Sequence, residues 1–162
     1  MENTKILLIM NFPKLSRKLY NPLTMPNPTL SPYLIFGGTC EEAMKFYQSC
    51  MGGKLTMQTY GEAPMPCPEH WKKKIIHASL ENDSLSFMAS DDNETKKVVM
   101  GTNVQLSVAG SDAKLLTDMF SKLSTGGTVT TPLEKQFWGD TFGMFADKFG
   151  VRWMFNVAEK KG

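Results

Sequence analysis

Residues 33–53 read YLIFGGTCEEAMKFYQSCMGG, and this stretch sets the plan of the fold. Its first four residues are apolar or aromatic, which favours a short buried strand. Thr39 and Glu42 have the spacing of a capping box, in which both side chains accept hydrogen bonds from backbone N–H groups at the start of a helix. Apolar residues then recur at every third or fourth position on one helix face, and Gly52 with Gly53 ends that helix.

The same order of elements occurs twice along the chain. Strand candidates complete the first unit, residues 33–92, at 54–60, 74–80 and 85–90. In the second unit, residues 101–159, Ser111 or Asp112 caps a helix that carries Leu115, Leu116, Met119, Phe120 and Leu123 on one side. Strand candidates flank this helix at 104–108, 128–133, 141–146 and 151–157.

A shift of the chain by 74 residues supports an internal duplication. It places the glycine pair at 52–53 on the pair at 126–127 within the same order of strands and helix, which indicates a βαβββ repeat. We therefore expect one α/β (α+β) domain over residues 33–159. Its two βαβββ units should form a curved, eight-stranded mixed sheet with the helices on the outside.

The composition excludes several classes of protein. The chain is 41% hydrophobic and 21% charged with a net charge of +2, which argues against a nucleic-acid binder that works by bulk charge. No apolar run is long enough to cross a bilayer, and residues 6–10 are too few for a signal-peptide core. We therefore expect a cytoplasmic protein with no membrane partner. Three cysteines do not make a disulfide framework.

Strand alternation predicts which side chains line the concave face of the sheet. In the last strand Trp153 and Phe155 share the face under a helix, whereas Met154 and Asn156 share the opposite face. The predicted pocket is apolar and aromatic with a few amides, hydroxyls and one carboxylate, as is typical of a small-molecule site. Its residues are Tyr33, Tyr60, His77, Ser79, Met88, Ser90, Gln105, Ser107, Gln136, Trp138, Asp140, Met154 and Asn156.

The polar members of this set have alternative interpretations. His77 is the candidate catalytic residue, because an imidazole titrates near neutral pH and can act as a general base. It is equally compatible with a histidine bonded to a neighbouring strand or lying in a dimer seam. Trp138 and Asp140 either hold a ligand or form a bend in which Asp140 bonds backbone N–H groups. Arg152 either binds an acidic substrate or lies on the surface beside a turn.

Strings in both units resemble a known family. They are YLIFG at 33–37, CEEAMKFY at 40–47, IHASL at 76–80, MASD at 88–91, and PLEKQFWGD at 132–140 with FG at 142–143. As a set they resemble the PhnB-like branch of the vicinal oxygen chelate superfamily, which includes glyoxalases, bleomycin-resistance proteins and extradiol dioxygenases. The resemblance covers about residues 31–158.

This resemblance implies a divalent metal held by His, Glu or Gln from the first and last strands of each unit. The chain departs from that pattern, because its first strand offers Tyr33 and Ile35 and the position of the family's last-strand Glu is Met154. Such side chains do not suit Zn, Ni, Fe or Mn. No cofactor is therefore predicted, and a divalent metal is expected by family analogy only. Cys67 and His70 have a metal-ligand spacing, but two ligands are too few for a site.

Two functions from different classes remain open. The first is a small-molecule-binding protein of the glyoxalase/bleomycin-resistance fold without the standard metal site. The alternative is an enzyme of lyase or dioxygenase type that uses a metal or His77. The resemblance implies a homodimer in which units from two chains complete each pocket, and the free edges of the strands favour the same assembly. The proline-rich loop from Glu62 to Lys73 is predicted to be a mobile lid over a pocket mouth.

Residues 1–32 lack the repeat and contain five prolines, so we predict an N-terminal extension. Deletion of residues 1–24 should leave a protein that melts cooperatively, because no part of the repeated pattern is removed. Thermal unfolding followed by circular dichroism measures this. Loss of a cooperative transition in the truncated protein would show that the extension is structural.

Overall fold

A computed structural model describes residues 30–92 and 97–159 of the chain. The first unit consists of β1 (Tyr33–Phe36), α1 (Cys40–Met51), β2 (Lys54–Thr59), β3 (Ile75–Glu81) and β4 (Ser86–Asp91). The second consists of β5 (Leu106–Gly110), α2 (Ala113–Ser124), β6 (Thr128–Lys135), β7 (Thr141–Ala146) and β8 (Arg152–Val157). The predicted extension lies outside the described residues except for 30–32. Within the described ranges, neither helix has the length and apolar character needed to cross a bilayer.

The tandem βαβββ plan is confirmed, and its eight strands are divided between two sheets. The strand orders are β1-β4-β3-β2 and β5-β8-β7-β6. In each sheet the first strand runs parallel to the last strand of its unit, and the other neighbours are antiparallel. The sequence predicts one continuous eight-stranded sheet, whereas the structure has two four-stranded sheets. Each sheet is covered by the helix of its own unit.

The start of α1 is stabilised by a distant residue and not by the predicted capping box. The Thr39 side chain makes no capping hydrogen bond. Instead, the backbone N–H of Cys40 donates to Oδ1 of Asp91 over 3.0 Å, and Oδ2 of the same carboxylate accepts from the N–H of Ile75 over 2.9 Å. Glu42 meets the Lys148 ammonium at 3.1 Å. The capping-box prediction is wrong because a buried carboxylate at the end of β4 takes over the role of the local cap.

The start of α2 follows the sequence expectation. The Asp112 carboxylate accepts a hydrogen bond from the N–H of Leu115 over 3.0 Å, so Asp112 is the cap. Leu116, Phe120 and Leu123 form the buried stripe of this helix. Leu115, expected on the same side, is 48% exposed because a stripe spaced by four and three residues leaves it at the edge.

One buried carboxylate joins the two units. Asp147, in the turn between β7 and β8, is only 4% exposed. Its Oδ2 atom accepts from the Tyr47 hydroxyl of α1 at 2.7 Å and from the Trp153 indole N–H at 2.9 Å. Its Oδ1 atom accepts from the backbone N–H groups of Phe149 and Val151. The carboxylate is therefore fully bonded, and Tyr47 connects the first unit to the second through it.

Replacement of Tyr47 by Phe should destabilise the protein by about 1–3 kcal/mol, because the buried Asp147 carboxylate loses a donor that no water replaces. Urea-induced unfolding measures the difference. Tyr33→Phe is the matched control, since it also removes one phenolic hydroxyl but from a side chain that is 45% exposed. Equal midpoints for the Tyr47→Phe variant and the wild-type protein would contradict the role given to this contact.

Candidate functional site

Each sheet has one face packed under its helix and one open face with partly exposed side chains. The alternation is clearest in β8, where residues at odd positions are buried and those at even positions are not. The first open face, on the sheet of β1 to β4, carries Tyr33, Ile35, Thr56, Gln58, His77 and Met88, together with Ser79 and Ser90, which are buried. The second open face, on the sheet of β5 to β8, carries Ser107, Phe142, Met144, Arg152, Met154 and Asn156.

The strand registers of the two sheets correspond residue by residue. Met88 in β4 lies opposite Tyr33 of the parallel first strand. Met154 in β8 lies opposite Ser107, which is in the parallel first strand of its own unit. The two open faces therefore share a central methionine, and Tyr33 in one unit corresponds to Ser107 in the other.

The corresponding positions on the antiparallel side differ in polarity. Ser79 lies opposite Met88, whereas Met144 lies opposite Met154. Two residues earlier in each strand, His77 corresponds to Phe142. Since a hydroxyl and an imidazole on the first open face replace a thioether and a phenyl ring on the second, the first face is suited to hydrogen bonding. The second face is suited to apolar contact.

Tyr33 and His77 form a pair on the first open face. The Tyr33 hydroxyl lies 3.4 Å from Nδ1 of His77, and the ring centroids are 6.0 Å apart. Burial lowers the pKa of His77 below its usual 6.5, although the Glu81 carboxylate works in the opposite direction. Burial also raises the pKa of Tyr33 above 10.0. At neutral pH this pair is a neutral imidazole beside a protonated phenol, which is a hydrogen-bonding surface without net charge.

The second open face ends in an aromatic hairpin tip. The turn between β6 and β7 is closed by hydrogen bonds from the N–H of Gln136 to the carbonyl of Asp140 and from the N–H of Gly139 to the carbonyl of Gln136. Gly139 has φ of +104°, a conformation that other residues rarely adopt. The Trp138 ring lies 5.8 Å from the Phe142 ring, so the tip continues the apolar surface of β7.

The carboxylate of Asp140 belongs to the local structure of this hairpin. Its Oδ2 atom accepts from the amide of Asn156 at 2.8 Å, and its Oδ1 atom accepts from the backbone N–H of Glu159 at 3.2 Å. A bond to a backbone N–H is what the bend interpretation of Asp140 expects. The hydrogen bond to Oδ2 orients the Asn156 side chain on the second open face.

Two predicted pocket residues lie away from the open faces. Tyr60 is buried, donates its hydroxyl to the carbonyl of Asp91 and packs edge-on against Trp71. Gln136 lies in the hairpin turn and donates its side-chain amide to the carbonyl of Glu134. Gln105 immediately precedes β5 and is partly exposed.

The two open faces do not meet within one chain. Phe87 of β4 and Trp153 of β8 belong to the helix-packed faces, and their rings are 6.5 Å apart. Tyr47 of α1 contacts both rings, at 5.8 and 5.5 Å. Because the packed faces of both sheets share one core, the open faces are directed away from each other. The chain thus places most of the predicted residues on two separate open faces.

Besides Arg152, two residues of the second open face are missing from the predicted pocket set. Phe142 and Met144 lie on the same side of β7, with the buried Gly143 and Phe145 on the other. The alternation rule used for β8 identifies them when it is applied to residues 141–146. Gly143 obscures the pattern, because a residue without a side chain occupies a core position where Phe120 approaches closely.

The donor set at the family's metal positions does not fit a divalent metal. The facing pairs of first- and last-strand residues are Tyr33 with Met88 and Ser107 with Met154. Thioethers and hydroxyls are poor ligands for Zn, Ni, Fe or Mn, which take imidazole, carboxylate or thiolate. Across the described residues no three His, Cys, Asp or Glu side chains converge, and Cys67 with His70 gains no third ligand.

Comparison with known proteins places this geometry in a family. Residues 29–155 match the family model described as the Glyoxalase/Bleomycin resistance protein/Dioxygenase superfamily. Protein YjdN of Escherichia coli (strain K12) is 29% identical over 143 residues, which cover 82% of this chain and 97% of the relative.

Two solved structures show the same fold. Protein PA1353 from Pseudomonas aeruginosa is 38% identical with a TM-score of 0.74, and the match covers 81% of this chain and 98% of that one. A Bacillus cereus structure described as a putative 3-demethylubiquinone-9 3-methyltransferase, PhnB protein, is 25% identical with a TM-score of 0.67. That match covers 81% of this chain and 100% of the other. The resemblance to the PhnB-like branch is confirmed.

The lowered pKa of His77 predicts how stability depends on pH. The unfolded chain binds the His77 proton near pH 6.5, whereas the folded chain binds it only at lower pH, so protonation favours unfolding. Stability should therefore decrease as the pH falls from 6.5 toward the folded pKa, and His77→Gln should reduce that dependence. NMR titration of the imidazole signals measures the pKa, with His70→Gln for assignment. A His77 pKa above 6.5 would contradict the prediction.

Proposed function

Because the chain belongs to the Glyoxalase/Bleomycin resistance protein/Dioxygenase superfamily, we propose that it is a metal-independent small-molecule-binding protein that works as a homodimer. Each of its two pockets forms between the first open face of one protomer and the second open face of its partner. The observation that carries the proposal is the shared core around Tyr47, which directs both open faces outward. Only a second copy of the chain can bring a first face opposite a second face.

The chemistry of the two faces supports a ligand that is largely apolar. The second face offers Phe142, Met144, Met154 and the Trp138 ring, which provide polarisable, adaptable contacts for a flat or aromatic body. The first face offers the Tyr33 and His77 pair and the hydroxyls of Thr56 and Ser79, which are 2.7 Å apart. A molecule between the faces has apolar contact on one side and hydrogen-bonding groups on the other. This combination is usual in small-ligand sites.

The donor chemistry at the four facing positions supports independence from metal. These positions are occupied by Tyr33, Met88, Ser107 and Met154. They offer neither carboxylate nor imidazole, so the Lewis-acid step of the superfamily lacks its usual ligands there. The second candidate function is catalysis with His77 as a base. Its support is the lowered pKa of His77, since the neutral imidazole that accepts a proton is the form present at neutral pH.

The loop from Glu62 to Lys73 is included in the proposal as a cover for the pocket. Its ends are joined by backbone hydrogen bonds from Tyr60 to Lys74 and from Gly61 to Lys72, and the Tyr60 and Trp71 rings pack together. The segment between these anchors contains three prolines and exposed side chains. A loop with fixed ends and a free middle is suited to close over a neighbouring surface.

Mixing two inactive variants tests whether each pocket uses two chains. His77→Trp fills the first open face, and Met154→Trp fills the second. Each variant alone should lose binding of 2-naphthamide, a neutral aromatic probe followed by quenching of tryptophan fluorescence. After unfolding and refolding of an equimolar mixture, half of the dimers are mixed and each has one unmodified pocket. About a quarter of the wild-type binding capacity should therefore return.

Light scattering on the same samples should give twice the monomer mass of 18.1 kDa for the wild-type protein and for both variants. If the mixture recovers no binding while the dimer persists, the pocket lies within one chain. If the wild-type protein has the monomer mass at micromolar concentration, the dimer proposal is wrong.

A further inference from the structure

Arg152 is the basic residue among those named on the second open face. It is the first residue of β8, and Met154 and Asn156 follow it on the same side of the strand. Ala146 lies directly opposite Arg152 in the antiparallel register with β7. The corresponding residue of the first unit, two before the central methionine Met88, is Ser86. In that layer of the first face Lys54 lies opposite Glu81, whereas Arg152 on the second face lies opposite Ala146.

The charge of Arg152 is not neutralised within the described part of the chain. Five of the ten lysines in the described ranges pair with carboxylates at 2.6 to 3.1 Å: Lys45, Lys72, Lys122, Lys135 and Lys148. Over the same ranges no ion pair or hydrogen bond involves the Arg152 side chain. Asp147 is the nearest carboxylate in sequence, but Tyr47, Trp153 and two backbone N–H groups on the core side occupy its oxygens.

An unpaired guanidinium beside an apolar surface favours one kind of ligand. Its planar donors match the two oxygens of a carboxylate, and charge-assisted hydrogen bonds are stronger than neutral ones. Met154 lies two residues from Arg152 on the same face of β8, and Met144 lies opposite Met154, so the guanidinium borders an apolar surface. On the first open face the Tyr33 and His77 pair is uncharged at neutral pH, and the charged residues Lys54 and Glu81 lie opposite each other in the strand register.

We infer that the ligand of this site is an organic acid with an apolar or aromatic body, and that Arg152 binds its carboxylate. The body lies on Phe142, Met144 and Met154, and the carboxylate lies at the end of the face where β8 begins. This inference rests on the proposed pocket and makes Arg152 its specificity-determining residue.

Paired probes that differ only in charge test the inference. They are 2-naphthoate against 2-naphthamide, and benzoate against benzamide, each titrated into the full-length protein at neutral pH by calorimetry or fluorescence. The wild-type protein should bind each acid roughly tenfold or more tightly than its amide, as expected for a charged hydrogen-bonded contact. Arg152→Gln should abolish this preference by weakening acid binding by about tenfold or more relative to amide binding, and Arg152→Lys should retain part of it.

Lys122→Gln is the matched control, because it also removes one positive charge but from the outer side of α2, where Lys122 pairs with Asp118. It should keep the full preference for the acid. In the wild-type protein, raising the salt concentration should weaken acid binding and not amide binding, which tests the charge without any substitution.

The outcomes separate this inference from the proposed function. If the wild-type protein binds acid and amide equally, the carboxylate inference is wrong and the apolar pocket stands. If Arg152→Gln keeps the preference for the acid, another group binds the carboxylate and the assignment to Arg152 is wrong. If the wild-type protein binds none of the four probes at millimolar concentration, both the inference and the proposed pocket are rejected.

Discussion

The arrangement of this protein depends on the buried carboxylate of Asp147. The two oxygens of this carboxylate accept four hydrogen bonds. Of the four donors, only the Tyr47 hydroxyl belongs to the first unit. A buried charge is costly unless its hydrogen-bonding capacity is filled, so the turn before β8 requires a donor that α1 supplies. This requirement fixes α1 against the second unit. It also explains why the two sheets turn their packed faces toward one core and their open faces away from it.

The two units differ in the polarity of the side chains on their open faces, where a ligand would contact them. The central methionines Met88 and Met154 are retained in equivalent register, and the buried faces remain apolar in both units. Beside these methionines, equivalent positions carry the polar hydroxyl of Ser79 in the first unit and the apolar thioether of Met144 in the second. A symmetric pocket would treat both sides of a ligand alike. Divergence on the open faces gives a site that distinguishes one side of its ligand from the other.

Much of the fold could be predicted from the sequence because it depends on local patterns. Alternation in β8 and the glycine pairs after the helices identified the strands, the turns and most of the open-face residues. The failures involve contacts between distant residues. Thr39 has the correct spacing for a cap, but Asp91 arrives from the end of β4 and replaces it. No local pattern indicates that Tyr47 bonds a residue one hundred positions away. Tyr47 lies in the core between the packed faces of the two sheets, and this core separates their open faces.

A site divided between two chains links binding to assembly. In the proposed dimer, a ligand between a first and a second open face would contact both protomers, so it would bind the dimer and not the separated chains. By mass action such a ligand stabilises the dimer in proportion to its free concentration, without any change in the structure of either protomer. Met144 and Phe142 are partly exposed in the single chain, and the proposed dimer would cover them, which favours the same assembly. Under that proposal, burial of the ligand and burial of the interface would be one event.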